Sequence, residues 1–198
     1  MLKFVSCAAV AMLAGTAMAQ SYTLHADPIP EGMYVERGPG VIYSAMSGPF
    51  QAFAAAAGSL GFDDYDTVLP GGQDNLTQLR FVGGVTAVGG IIDFNFFDAG
   101  SAPVSTFAVQ FPQAGNFIWT ITLGAPVVVP DQGFLELETR AGVTGQWFLS
   151  TSAPTVGTES RALGDTTTHS HRFELTVPAP GSLALLGLGG LVAGRRRR

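Results

Sequence analysis

Four groups of side chains have types and spacings that could do chemistry. Asp63, Asp64 and Asp66 crowd around Tyr65, and neighbouring carboxylates supply the hard oxygen ligands that Ca²⁺ takes. The spacing lacks the glycine and the distant glutamate of an EF-hand loop, so a polar strand entry or turn accounts for the same residues. His169 and His171, with Glu174 downstream, approach a two-imidazole, one-carboxylate metal set. An intact strand sends Glu174 to the face opposite both histidines, because the offsets are odd. An exposed Thr/Ser/His loop is therefore the better reading of 166–171. Glu136 and Glu138 could form the carboxylate pair of a glycosidase, but they alternate with Leu135 and Leu137, which assigns them to solvent. Of the two tryptophans, Trp119 lies in an inward register. Trp147, beside Gly145 and Gln146, is the candidate for glycan contact.

The negative findings narrow the field. The chain contains neither a Gly-x-Ser-x-Gly nucleophile elbow nor a phosphate-cradling glycine loop,. Its single cysteine, Cys7, sits in the N-terminal leader. A mature chain without it has no thiol for catalysis, disulfides or metal. No catalytic residue is assigned, no cofactor is expected apart from Ca²⁺ at the aspartates, and the body reads as a non-enzymatic domain.

The elements that must position these residues are strands. Phe117, Trp119, Ile121 and Leu123 alternate with threonines; Leu135 and Leu137 alternate with Glu136, Glu138 and Arg140. Phe173, Leu175 and Val177 form the apolar set of the last run, while Leu79 and Phe81, then Ile92, Phe94 and Phe96, repeat the pattern. A period of two is what half-buried antiparallel strands require. Gly71-Gly72, Gly83-Gly84, Gly89-Gly90 and Pro130-Asp131-Gln132-Gly133 read as turns. One short helix is expected over Phe50 to Ala57, stopped by Gly58,. The fold expected is all-β, an antiparallel β-sandwich of jelly-roll type spanning residues 20–176, followed by a short C-terminal hydrophobic helix.

Both ends look like address labels. Residues 1–19 carry Lys3, an apolar run from Cys7 to Ala14, and Ala17-Met18-Ala19 before Gln20. This is the plan of a secretory signal read by the Sec translocon, with cleavage between Ala19 and Gln20. The apolar run is shorter than the roughly twenty residues needed to span a bilayer. At the other end, Val177-Pro178-Ala179-Pro180 precedes an apolar stretch from Ser182 to Gly194 and the cluster Arg195, Arg196, Arg197, Arg198. Each proline disfavours helix at the residue before it, and the arginines would hold on the cytoplasmic side of a membrane. The apolar stretch reaches about 20 Å as helix, short of a hydrocarbon core of about 30 Å. That favours transient insertion and processing over a lasting anchor.

The formal charge of −5 belongs to the whole chain. Lys3 and the four terminal arginines are five of the ten basic residues, and all fifteen acidic residues lie between them, leaving the body near −10. Such a body is repelled by nucleic acid and anionic lipid, so no nucleic-acid function is expected.

The tail at 177–198 resembles the PEP-CTERM sorting signal of Gram-negative bacteria: Pro178 and Pro180 match its two prolines, Ser182 to Gly194 its helix, and Arg195 to Arg198 its stop. Ala179 stands where that family has its name-giving glutamate. The resemblance implies recognition by a membrane-embedded exosortase, a cysteine transpeptidase-like enzyme, and delivery to the cell surface or extracellular matrix. The runs 61–65, 79–85 and 92–98 are also similar to β-sandwich bodies that precede such tails. The function expected is structural or adhesive, in the envelope or within extracellular polysaccharide. The alternative is a carbohydrate-binding, carbohydrate-active or metal-dependent hydrolytic domain displayed by the same route.

Overall fold

The computed structural model describes residues 20–30, 38–51, 56–69, 72–160 and 169–178. Among these the chain is all-β and contains no helix. The first six strands are β1 (Tyr22–Asp27), β2 (Val41–Ser44), β3 (Ser59–Asp66), β4 (Gln73–Val85), β5 (Ile91–Asp98) and β6 (Pro103–Gln110). After these come β7 (Gly115–Pro130), β8 (Gln132–Thr139), β9 (Gly145–Trp147), β10 (Leu149–Ser150), β11 (Ser170–His171) and β12 (Phe173–Thr176).

Two antiparallel sheets carry the fold. The larger has the order β1-β7-β4-β12-β2, with β9 also paired to β4; the smaller is β3-β8-β5-β6. A two-stranded ribbon of β10 and β11 completes the set. One edge of β4 is shared end to end. Gln78 to Phe81 pair with β12 and Gly83 to Val85 pair with β9. At the handover the Val82 N–H donates to the Arg172 carbonyl, and the Val82 carbonyl accepts from the Phe148 N–H.

The inner faces of both sheets meet in one core. Trp119, Ile121, Phe81, Leu79, Phe173 and Leu175 come from the larger sheet, and Phe94, Phe96, Leu135 and Leu137 from the smaller. Aromatic edges join the layers: Phe81 to Phe94 at 5.4 Å and Tyr65 to Phe173 at 6.0 Å between ring centroids. Such pairs add about 0.5–1.5 kcal/mol each beyond the area they bury. Trp119 is a core residue, 1% exposed. Ile118 points the other way and is buried too, in a second cluster with Met46 and Val82.

Three sequence expectations are corrected. Gly83 and Gly84 are not a turn; they lie buried inside β4, paired with Phe117 and Asn116 on one side and Trp147 and Gln146 on the other. A Cβ at Gly83 would lie 2.2 Å from the Gln146 carbonyl oxygen. Glycine is needed there for the close approach of β9. Of the helix expected at 50–57, residues 52–55 lie outside the described residues; the flanking Gln51 and Ala56 form bridges to Leu149 and Gly145 instead. Glu174 and Arg172, which alternation with Phe173 and Leu175 would send to solvent, are 1% and 0% exposed. The face of β12 opposite the core is covered as well: the Glu174 carboxylate accepts from Ser44 Oγ at 2.9 Å and from Arg80 Nη1 at 3.2 Å. The expected C-terminal helix lies outside the described residues. Among those described, no helix is long and apolar enough to cross a membrane.

Gly83→Ala is expected to lower the unfolding free energy by about 2 kcal/mol, as overpacking does. Gly38→Ala, with open space around it, should stay within about 0.5 kcal/mol of wild type. Urea titration followed by tryptophan fluorescence reads both.

Candidate functional site

Strand β3 divides its polar residues between two environments. Asp63 and Tyr65 face the core and are 1% exposed, whereas Phe62, Asp64 and Asp66 take the outer side, as the period of two requires. The three aspartates therefore do not converge. Among the described residues no group of three His, Cys, Asp or Glu side chains is close enough to hold a metal ion.

Asp63 belongs to a buried polar cluster where β3 meets β11. One oxygen accepts from the His171 N–H and the other from the Asp64 N–H. The His171 ring, 0% exposed, lies 3.7 Å from the same carboxylate through Nδ1. It stacks on Trp147 at 3.9 Å between centroids. Trp147 Nε1–H donates to the Arg172 carbonyl at 3.3 Å. Glu159 closes the cluster, accepting from Tyr43 Oη at 2.8 Å and from Ser170 Oγ. Burial pushes the Asp63 carboxyl up to about 7, and Glu159 adds to the rise while the His171 N–H and Arg172 oppose it.

Two placements differ from the sequence reading. Trp147 is 1% exposed, so no glycan can stack on it; His171 takes up one face of the ring. His171 itself is core rather than exposed loop, because β11 pairs with Leu149 and Ser150 of β10. Glu174, bonded to Ser44 and Arg80, is part of a different group.

The outer face of β3-β8-β5-β6 is the second feature. Glu136 is half-buried and Glu138 exposed. Glu136 is fixed by Ser59 Oγ at 3.0 Å and Asn95 Nδ2 at 3.4 Å, and Asn95 in turn accepts from Thr106 Oγ1 at 2.7 Å. Arg140 grips Asp93 through Nε and Nη2 at 2.9 and 2.8 Å. Phe62, Phe97, Phe134, Glu136 and Ser101 line a shallow depression of about 340 Å³. Beyond Phe134 lies a cleft of about 360 Å³, walled by Asp64, Asp66, Gln132, Thr158, Glu159 and Ser160. Asp64 accepts from the Ser160 N–H at 2.6 Å, and its Oδ1 has no hydrogen-bond partner. Burial, helped by Asp63 and Glu159 and opposed by that N–H, raises this carboxyl to about 6.

Sequence reasoning missed Glu159, Ser160, Arg172 and the outer aromatics. A signal for the last exists: Phe97 follows Phe96 and Phe134 precedes Leu135. Adjacent apolar side chains on an alternating strand put one of the pair on the far face.

The body runs without a linker into the tail. Thr176 pairs with Gln78 and Val41, and the Val177 N–H donates to the Gly40 carbonyl at 2.9 Å. From Thr176 onward, residues 176–198 match the PEP-CTERM protein-sorting motif. The chain carries that sorting signal. A PEP-CTERM signal implies a bacterial protein that is exported, processed by the membrane enzyme exosortase, and located at the cell surface or outside the cell. No curated protein matches the chain.

Because Asp63 holds a proton in the folded protein that the unfolded chain, with a carboxyl near 3.8, has already lost, stability should fall as pH rises from about 4 through 7. The slope approaches about 1.4 kcal/mol per pH unit within that window. Urea unfolding at pH 5 and pH 8 measures the change. Asp63→Asn, which keeps an acceptor for the His171 N–H, should remove the share that Asp63 contributes and leave the smaller fall due to Asp64, which ends near pH 6,.

Proposed function

We propose that the protein is a secreted, non-enzymatic β-sandwich with a structural or adhesive role at the bacterial surface or in extracellular polysaccharide. The signal at residues 1–19 directs it to the Sec translocon and is removed before Gln20. The apolar tail then holds the chain briefly in the inner membrane, with Arg195 to Arg198 as the stop, until exosortase acts at Val177-Pro178-Ala179-Pro180. The observation that carries this reading is the sorting motif at 176–198, continuous with a strand inside a sheet. The two facing antiparallel sheets support a sandwich body. The anionic composition, with its five basic residues between the two ends, suits an exposed solute-facing surface rather than contact with phosphate polymers.

A hydrolytic reading has one observation in its favour: Asp64, raised to about 6 at the wall of a cleft, could act as an acid. Glu159, a second carboxylate lining that cleft, is already engaged, since it accepts from both Tyr43 and Ser170. Incubation with a panel of polysaccharides should release no reducing ends. Release that disappears in Asp64→Asn would replace the structural reading with the hydrolytic one.

Intact-mass and terminal-peptide spectrometry of the protein from its bacterial host should give an N-terminus at Gln20 and a C-terminus lacking the four arginines. Pro178→Ala with Pro180→Ala should leave the arginine-bearing form in the membrane fraction. Recovery of the full 198-residue chain from the cytosol would sink the export reading.

A further inference from the structure

We propose that the depression bounded by Phe62, Phe97, Phe134 and Glu136 binds a small quaternary alkylammonium solute. This goes beyond the surface-protein reading and does not depend on it. Among the described residues that line it, three are phenylalanines, one is a carboxylate, and none is basic. Phe62 is 41% exposed, and its ring meets Phe134 edge-on, 6.3 Å between centroids at 66°. The two rings thus form a corner, with Phe97 beside Phe134 on the next strand. An aromatic corner next to one anion is the chemistry that attracts an alkylated ammonium: the ring faces carry negative potential, and the methyl groups need no hydrogen bonds.

The other components favour the same ligand. Glu136 is held from both sides by Ser59 and Asn95, so its charge stays beside the rings. Ser101 closes the rim from a turn in which the Asp98 carboxylate accepts from the Gly100 and Ala102 N–H groups, both at 2.9 Å. Ser101 has a left-handed φ of 64°, a conformation that costs a non-glycine residue free energy and that gathers at ligand sites. The volume of about 340 Å³ lies at the small end of the range for ligand pockets. A single carboxylate among rings cannot replace the hydration shell of a metal ion, which needs several oxygens. A phosphocholine headgroup brings a phosphate towards Glu136 and towards Asp64, which pairs with Phe134 across the strands, so the solute commits to a free cation without phosphate.

Isothermal titration calorimetry of the secreted protein tests this with choline, its neutral tert-butyl isostere and phosphocholine. Choline should saturate in the millimolar range or below, with both analogues at least about tenfold weaker. Phe62→Ala should weaken choline by about tenfold or more and Glu136→Gln by about fivefold. The exposed Phe62 can be truncated without unfolding the chain, which an unchanged thermal midpoint verifies. Three results overturn the proposal: no saturation by choline up to about 50 mM, equal binding of the neutral isostere, or an affinity indifferent to Phe62→Ala. Phosphocholine binding as tightly as choline overturns the free-solute assignment in favour of a lipid headgroup.

Discussion

One buried guanidinium holds the junction on which both sheets depend. Arg172 is 0% exposed and donates to the carbonyls of Ser170, Ser47, Ser150 and Ser152 at 2.8 to 3.2 Å. Burying an isolated charge is costly, and the cost is met only when geometry and hydrogen bonding are complete. The planar fork of arginine can satisfy several carbonyls in fixed directions, which a lysine ammonium on a flexible stem cannot. Its backbone is used equally fully: the Arg172 carbonyl accepts from the Val82 N–H and from the Trp147 indole, and its N–H donates to the Phe148 carbonyl. The residue thus ties the β10-β11 ribbon to the end of β9 and delivers β12 into the larger sheet. The neighbouring carboxylate of Asp63 feels that positive charge, which partly offsets its own burial.

The position of β12 constrains the order of events during export. It lies between β4 and β2, so the larger sheet cannot close until the last strand is available. The sorting motif begins within that strand, at Thr176. β1, by contrast, is an edge strand that among the described residues pairs only with β7. Folding of the body and emergence of the tail are therefore coupled by topology, since the long loop from Phe81 to Phe173 must close for these two residues to pair,. Once β12 is in place, Val177-Pro178 follows directly on a strand hydrogen-bonded on both edges.

The all-β class and the registers of β5, β7, β8 and β12 were legible because each buries one face and alternation reports that face directly. Whether the opposite face is also covered was not legible. Parity places Glu174 opposite Leu175, but only the arrival of Ser44 and Arg80 from distant segments makes it a buried group. Trp147 escaped for the same reason: Gly145 and Gln146 before it are small or polar, while the histidine that covers it comes from position 171. Gly83-Gly84 was misread because a glycine pair marks a turn and a close strand approach in the same letters. Asp63, Asp64 and Asp66 read as one cluster of candidate Ca²⁺ ligands, but adjacency in sequence concealed that a strand separates them onto two faces. The rings of the outer depression were visible as doubled apolar positions and went unused.

The same parity explains how one short strand serves two surfaces. On β3, Asp63 and Tyr65 look inward, and Asp63 holds the backbone of His171, the residue before the arginine that links β11 to β12. Phe62 and Asp64 look outward and help to build the aromatic depression and the adjoining cleft. A one-residue slip of β3 against β8 would exchange these roles, exposing Tyr65 and burying Phe62 while withdrawing the carboxylate from His171. Such a slip is opposed at both ends. The irregularity between Ser59 and Gly61 fixes the entry, where Ser59 reaches Glu136. The bridge between Asp66 and Thr158, with N–H to carbonyl distances of 2.8 and 2.9 Å in the two directions, fixes the exit. The register of eight residues thus decides whether the outer face and the anchorage of the tail-proximal strand exist together.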